Sequence, residues 1–275
     1  RPGGDEHPGG GPVIRLVRAE LLKLFTTRLW WGLLIGVVAG GTAFAALSAG
    51  LAGRGPAGQS TPGVTDPATV RATYTAGLSI GYLIALALGI ITMSGEYRHQ
   101  TITAAVLSSP RRLRIVLAKL AALTVAGVGY GIVAVLAGVA VGAPIILLRG
   151  GSARLTSDGV PRALALAVLA VALWAILGLG IGTLIRNQVV ALLVSIGVAW
   201  LAEPLLSFGL NALDWGAVAK YLPSSATQAL VSPPTSGGNV DMAYLPWWGA
   251  ALVLLGYAML SGALGAALTL RRDIT

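Results

Sequence analysis

Six stretches of this chain stay apolar for the length of a membrane crossing, and short polar or charged segments separate them. The hydrocarbon core of a bilayer takes about 20 residues of helix, and at that length the candidate spans are Trp30 to Leu51, Tyr74 to Met93, Ile115 to Leu148, Ala163 to Ile185, Val189 to Phe208 and Trp247 to Leu270. The third is long enough to tilt or to continue outside the membrane. Ahead of them, VIRLVRAELLKLFTTR (Val13 to Arg28) has a different rhythm. At 100° per residue, Val13, Ile14, Val17, Leu21, Leu24 and Phe25 share one face, and Arg15, Glu20, Lys23, Thr26 and Thr27 the other. The two-sided charge and the abrupt change to all-round apolar character at Leu29 predict a helix lying in the headgroup plane rather than an extension of the first span. Trp30 and Trp31 mark its boundary as aromatic belt residues.

Within the spans glycines recur four apart: Gly32, Gly36 and Gly40; Gly77 and Gly81; Gly127 and Gly131; Gly138 and Gly142; Gly178 and Gly182. Small residues at this spacing let helix backbones approach where no hydrophobic drive exists, so the pattern predicts a tightly packed bundle. Between spans, Ala52 to Thr73 is rich in Pro, Gly, Ser and Thr and reads as irregular, and Arg149 to Arg162 reads as turns. Residues 209–246 form the longest loop, and its LNALDWGAVAKYLPSSATQALV has the periodicity of short helices returning to the outer surface. The fold class expected is an all-α integral membrane protein with six transmembrane helices, an interfacial amphipathic helix at residues 13–28 and short external helices between the last two spans. Residues 13–275 form one transmembrane domain; residues 1–12, RPGGDEHPGGGP, read as a disordered tail outside it.

Composition supports the membrane reading: 55% of residues are hydrophobic and 11% charged, against about one-quarter charged in soluble domains. The net charge of +9 could suggest nucleic acid, but the basic residues sit in short clusters beside apolar runs and form no groove-sized patch, so no nucleic-acid partner is expected. Counting Lys and Arg with the N-terminus inside gives thirteen on the cytoplasmic side against six outside, which places both termini in the cytoplasm. Sixteen of the 19 basic residues are Arg, and with abundant Ala and Gly this suggests a high-GC bacterial genome, hence a bacterial plasma membrane. With no cysteine there is no disulfide, thiolate metal site or cysteine nucleophile.

Catalytic patterns fail on context. Gly77-Leu78-Ser79-Ile80-Gly81 fits G-x-S-x-G, but it lies in a transmembrane helix without the strand-to-helix turn or His partner that a nucleophile elbow needs. Glu96 and His99 make a single E-x-x-H beside water, whereas a di-metal bundle site needs the motif twice plus further carboxylates, so no metal is expected. No G-x-x-x-x-G-K-[ST] is present to hold ATP. Glu203, in WLAEPLL, is the one acid in an apolar span. Such an acid is a candidate for a transport path, while its place near the external end, before Pro204, fits an interfacial or packing role.

The stretch MSGEYRHQTITAAVLSSPRRLRIVLAKL, Met93 to Leu120, gathers charge between two spans. Gly95 is expected to end span two, Glu96 to Leu107 to form a short cytoplasmic helix, and Ser109 with Pro110 to start the next helix above the RRLR anchor. GEYRHQTITAAVLSSPRRLRIVLAKL resembles the loop between the second and third spans of ABC-2 type permeases, the membrane subunits of type V ABC exporters, whose pattern is close to GE-x-R-x-G-T followed by Pro and basic residues. RAELLKLFTTRLWW is similar to the family's elbow helix, YLPSSATQAL to its external segment after span five, and LTLRRDI to its closing residues. Gln100 departs from the pattern where the family commonly has Gly.

The resemblance implies that residues 95–110 form a coupling loop docking on a separate ATPase subunit, with Glu96, Tyr97, Arg98 and Thr101 as contacts. Arg15, Arg18, Lys23 and Arg28 of the elbow would support it from the membrane surface. It implies no catalytic residue or cofactor on this chain, ATP and Mg on the partner, and an assembly of two ATPases with two permease subunits, the second the same or homologous. The cargo implied is lipophilic or amphiphilic, a drug-like molecule or lipid moved outward, with Glu203 a candidate for its path. The alternatives from other classes are a non-ABC integral transporter and a membrane-embedded scaffold or regulatory subunit.

Overall fold

The computed structural model describes residues 12–55, 61–98, 112–185, 187–231 and 245–272, and among these the regular elements are all helical. In chain order they are α1 (Pro12–Thr26), α2 (Leu29–Leu51), α3 (Pro67–Thr75), α4 (Leu78–Arg98), α5 (Arg112–Leu148), α6 (Val160–Leu184), α7 (Gln188–Gly197), a π-helical turn (Val198–Ala202), α8 (Glu203–Ala212), α9 (Gly216–Ala219), α10 (Pro223–Val231) and α11 (Trp247–Arg272). Six helical stretches are long and apolar enough to cross a membrane: 29–51, 67–95, 117–148, 160–184, 188–212 and 247–264. They match the six spans expected. One end of the bundle carries α1 and the ends joined by residues 99–111, and is called here the elbow end. The other, with α3, α9 and α10, is the distal end.

The helix starts follow from local chemistry. Asp66 accepts a hydrogen bond from the Ala68 amide at 3.0 Å and Pro67 takes the first position, so α3 begins inside the segment expected to be irregular. Asn187 caps α7 through the Val189 and Val190 amides at 3.0 and 3.2 Å. Gly159 precedes α6 in the left-handed region, φ 72°, with Pro161 in the first turn. Span two ends at Gly95 as expected, while its helix α4 continues to Arg98. The remainder of the expected Glu96–Leu107 helix, and the Ser109–Pro110 start, lie outside the described residues. The two expected short helices after span five are α9 and α10.

The spans formed by α3–α4 and by α6 are each 61% buried, against 17–33% for the other four, so these two make the centre and the others surround them. α6 packs against α4, α5 and α11. At its middle Trp174 is buried, stacks on Tyr82 with centroids 4.4 Å apart, and donates its indole N–H to Thr227 Oγ1 at 2.8 Å. An indole N–H in an apolar centre needs such a partner, and α10 supplies it by returning into the bundle.

α4 and α6 approach until side chains no longer fit between them. A Cβ on Gly178 would collide with the carbonyl oxygen of Leu86, and one on Gly89 with that of Ala175. Gly127 and Gly131 likewise admit the α6 backbone at Ala172 and Val168 on the α5 side. Gly32, by contrast, meets nothing within 4 Å among the described residues, so the first glycine of the α2 series packs against no neighbour there. Gly178→Leu should therefore destabilise the bundle by about 1–3 kcal/mol or more, as overpacking against backbone has no rotamer escape. Gly32→Ala should leave stability unchanged or slightly higher. Thermal unfolding of the detergent-solubilised protein measures both.

Candidate functional site

The elbow helix α1 turns a narrow stripe toward the bundle. Val17, Glu20, Leu21 and Leu24 follow the i, i+3, i+4, i+7 spacing and are half-buried, while Ile14 and Phe25 are exposed. The helical wheel puts Glu20 on the headgroup face; the structure turns it inward, because Lys119 waits there two turns into α5. Lys119 Nζ donates to Glu20 Oε2 at 2.7 Å and Lys23 Nζ to Oε1 at 2.6 Å. The Lys119 and Glu20 side chains are 6% and 11% exposed, that of Lys23 58%, so one bond is sheltered and the other lies at the surface. Burial pushes the Glu20 carboxyl up, but the hydrogen bonds and charges of Lys119 and Lys23 outweigh it and hold the group below its ordinary value.

A second tie follows at once. The Trp30 indole donates to the Phe25 carbonyl at 2.8 Å, its ring stacks on Trp31 and meets Phe25 edge-on, and the Tyr130 hydroxyl donates to the Trp30 carbonyl at 2.9 Å. α1, the α1–α2 corner and α5 are thereby held together. Arg15, Arg18, Lys23 and Arg28 are exposed on the elbow, as an interfacial helix requires. Glu96, Tyr97 and Arg98 form the last turn of α4 at this same end, with their side chains outside the description, and Thr101 lies outside the described residues. Sequence reasoning missed Lys119 and Tyr130 as anchors; a lone Lys among apolar residues was the available signal.

Span five breaks at Glu203. The Glu203 amide bonds to the Val198 carbonyl, five residues back, and Pro204 follows without an N–H. The carboxylate is 4% exposed and accepts the Ser224 amide at 2.6 Å. Ser224 lies in the first turn of α10, so Glu203 caps that helix from another part of the chain. Both candidate readings of Glu203 thus meet a definite geometry: the acid is engaged with protein in this conformation.

The distal end has its own ties, which sequence reasoning also missed. Arg149 reaches back to the last carbonyls of α2, donating to Ala49, to Gly50 at 3.3 Å and to Ala52 at 2.9 Å. Tyr74 donates to the Ala153 carbonyl at 2.7 Å and Arg71 to the Asp158 carbonyl at 2.6 Å. Arg154 pairs with the Asp158 carboxylate at 2.7 Å, and this hydrogen bond, with one from Ser157, holds the Asp158 carboxyl below its usual range.

Six spans, an amphipathic helix fastened to the third of them, and a return helix capped from the fifth define a polytopic membrane protein. No His/Cys/Asp/Glu group suited to a metal ion occurs among the described residues. Residues 33–274 match the family described as ABC-2 family transporter protein, and the chain belongs to that family. It is the membrane permease component of an ABC transporter, a family in which an ABC ATPase is the implied partner. No curated protein matches the chain.

Three outcomes follow from the pairs above. Lys119→Met removes the sheltered one of two bonds to Glu20 and should cost about 1–3 kcal/mol, whereas Glu20→Met with Lys119→Met should recover most of it; a double-mutant cycle on thermal stability measures this. Because the folded Glu20 value lies below its ordinary 4.5, the pair's contribution is complete above that pH and is lost as pH falls through the lowered value. Tryptophan fluorescence from Trp30 and Trp31 should report elbow release on acidification below 4.5, and Glu20→Gln should abolish that step. Glu203→Leu strands the Ser224 amide and should destabilise α10 by about 1–3 kcal/mol, seen as faster hydrogen exchange over residues 223–231.

Proposed function

We propose that the chain is the permease subunit of an exporter in a bacterial plasma membrane, with both termini cytoplasmic. It moves a lipophilic or amphiphilic cargo outward under power from a separate ATPase. Two permease subunits, identical or homologous, work with two ATPases that carry ATP and Mg. The loop 95–110 docks on the ATPase through Glu96, Tyr97, Arg98 and Thr101, and the elbow cations Arg15, Arg18, Lys23 and Arg28 hold the interfacial helix against anionic headgroups beside it.

The observation that carries this reading is the sheltered Glu20–Lys119 pair. It joins the interfacial helix to the helix that begins directly after the loop, so a displacement delivered at residues 99–111 meets α5 and α1 as one body. Long-range work needs such a rigid connection rather than a flexible connector. An apolar cargo is supported by the spans themselves: among the described residues Glu203 is their only acidic side chain, and one of its oxygens already holds Ser224.

Co-purification with the partner ATPase tests the reading, followed by ATPase assay in liposomes. Glu96→Ala with Arg98→Ala should lower cargo-stimulated hydrolysis at least tenfold, about 1.4 kcal/mol of coupling contact. A fully coupled double variant sinks the loop assignment, and failure to find any ATPase partner sinks the exporter reading.

A further inference from the structure

At the distal end, a cavity of about 380 Å³ opens between α3, the start of α6, the end of α10 and the start of α11. Its walls include Arg71, Asp158, Arg162, Leu166, Leu230 and Trp247. The volume falls within the roughly 300–1,000 Å³ of small-molecule sites. Most of the wall is apolar, yet two guanidinium groups border it.

The carboxylate of Asp158, also on the cavity wall, acts on Arg71 through its charge, so two guanidinium groups face one carboxylate and a positive excess is left over. Arg71 spends one N–H on the backbone carbonyl of Asp158, while the Asp158 carboxylate is turned to Arg154 and Ser157. Arg162 lies over the Trp247 ring at 5.8 Å, a contact that orients a guanidinium without cancelling its charge. The first turn of α6, with Gly159 on the cavity wall, has no side-chain cap and adds its dipole to the same sign. A free anion would satisfy the arginines but leave the apolar walls wet; a neutral apolar molecule would fill the walls and leave the positive excess unmatched. Only a molecule with an acidic head and a greasy continuation satisfies both, and Arg is suited to fork-like contacts with phosphate.

We propose that this cavity binds the acidic headgroup of a membrane phospholipid, with its phosphate on Arg71 and Arg162 and the first carbons of its chains along Leu166, Leu230 and Trp247. The lipid touches four elements, among them α10, the helix capped by Glu203. The inference stands apart from the ATPase-coupling reading, because binding is read without hydrolysis.

The test is native mass spectrometry of the full-length chain released from nanodiscs of equimolar phosphatidylglycerol and phosphatidylcholine. Wild type should retain phosphatidylglycerol with about tenfold preference. Arg71→Ala with Arg162→Ala should bring the two lipids to parity, and Arg162→Ala alone, which leaves the Arg71–Asp158 bond intact, should lose most of the preference. Leu166→Trp keeps both guanidiniums but fills the cavity, and should also lose it. Arg54→Ala removes an exposed cation at the same end outside the cavity and should change nothing. An equal loss in Arg54→Ala assigns the effect to general surface charge and overturns the proposal. Retained preference in Leu166→Trp or in the double variant overturns it too, as does displacement of the lipid by an equal concentration of inorganic phosphate.

Discussion

The meeting of α4 and α6, backbone against backbone at Gly89 and Gly178, is the constraint on which the rest of the bundle depends. In a bilayer, lipid tails solvate an apolar side chain as well as a neighbouring helix does, so burial alone does not choose which helices touch. Shape chooses. Where two carbonyl-lined surfaces fit only in the absence of a Cβ, the pairing has one register, and α5 and α11 then find their places around a fixed pair. The stack of Tyr82 on Trp174 follows from that register, since one residue comes from each helix. The indole N–H it buries in turn requires Thr227, and so draws α10 into the membrane.

Charge is used at the two ends and in different ways. At the elbow end one carboxylate accepts from two ammonium groups, one sheltered and one at the surface, and the sheltered bond ties α1 to α5. At the distal end arginines mostly satisfy carbonyls: Arg149 closes the end of α2 and Arg71 holds the turn before α6. The first arrangement ties one helix to another. The second fixes loops over the bundle's other face.

The spans were legible because a bilayer sets a minimum apolar length, and five of the six helices start or stop within a few residues of the expected boundaries. α3 was hidden by composition: the Pro- and Gly-rich run around it reads as irregular, although Asp66-Pro67 is itself a helix start. The inward turn of Glu20 was hidden for another reason. A helical wheel sorts residues by polarity, and the partner that makes this acid an inward residue lies 99 positions along the chain. The cap that Glu203 gives α10 is likewise tertiary, 21 positions away, and no local pattern announces it. The loop Glu96–Leu107 was readable only through its family resemblance, since its proposed contacts belong to another polypeptide.

The π-helical turn at Val198–Ala202 can be viewed as a helix that carries one residue more than its neighbours need. Each residue advances an α-helix by 100°, so a homologous span without the extra residue would present its next side chains about a quarter-turn away. Glu203 would then turn away from Ser224, which would need a different cap. An insertion or deletion of a single codon within span five therefore re-aims every side chain beyond it, Glu203 included. A substitution within the π turn leaves that register in place.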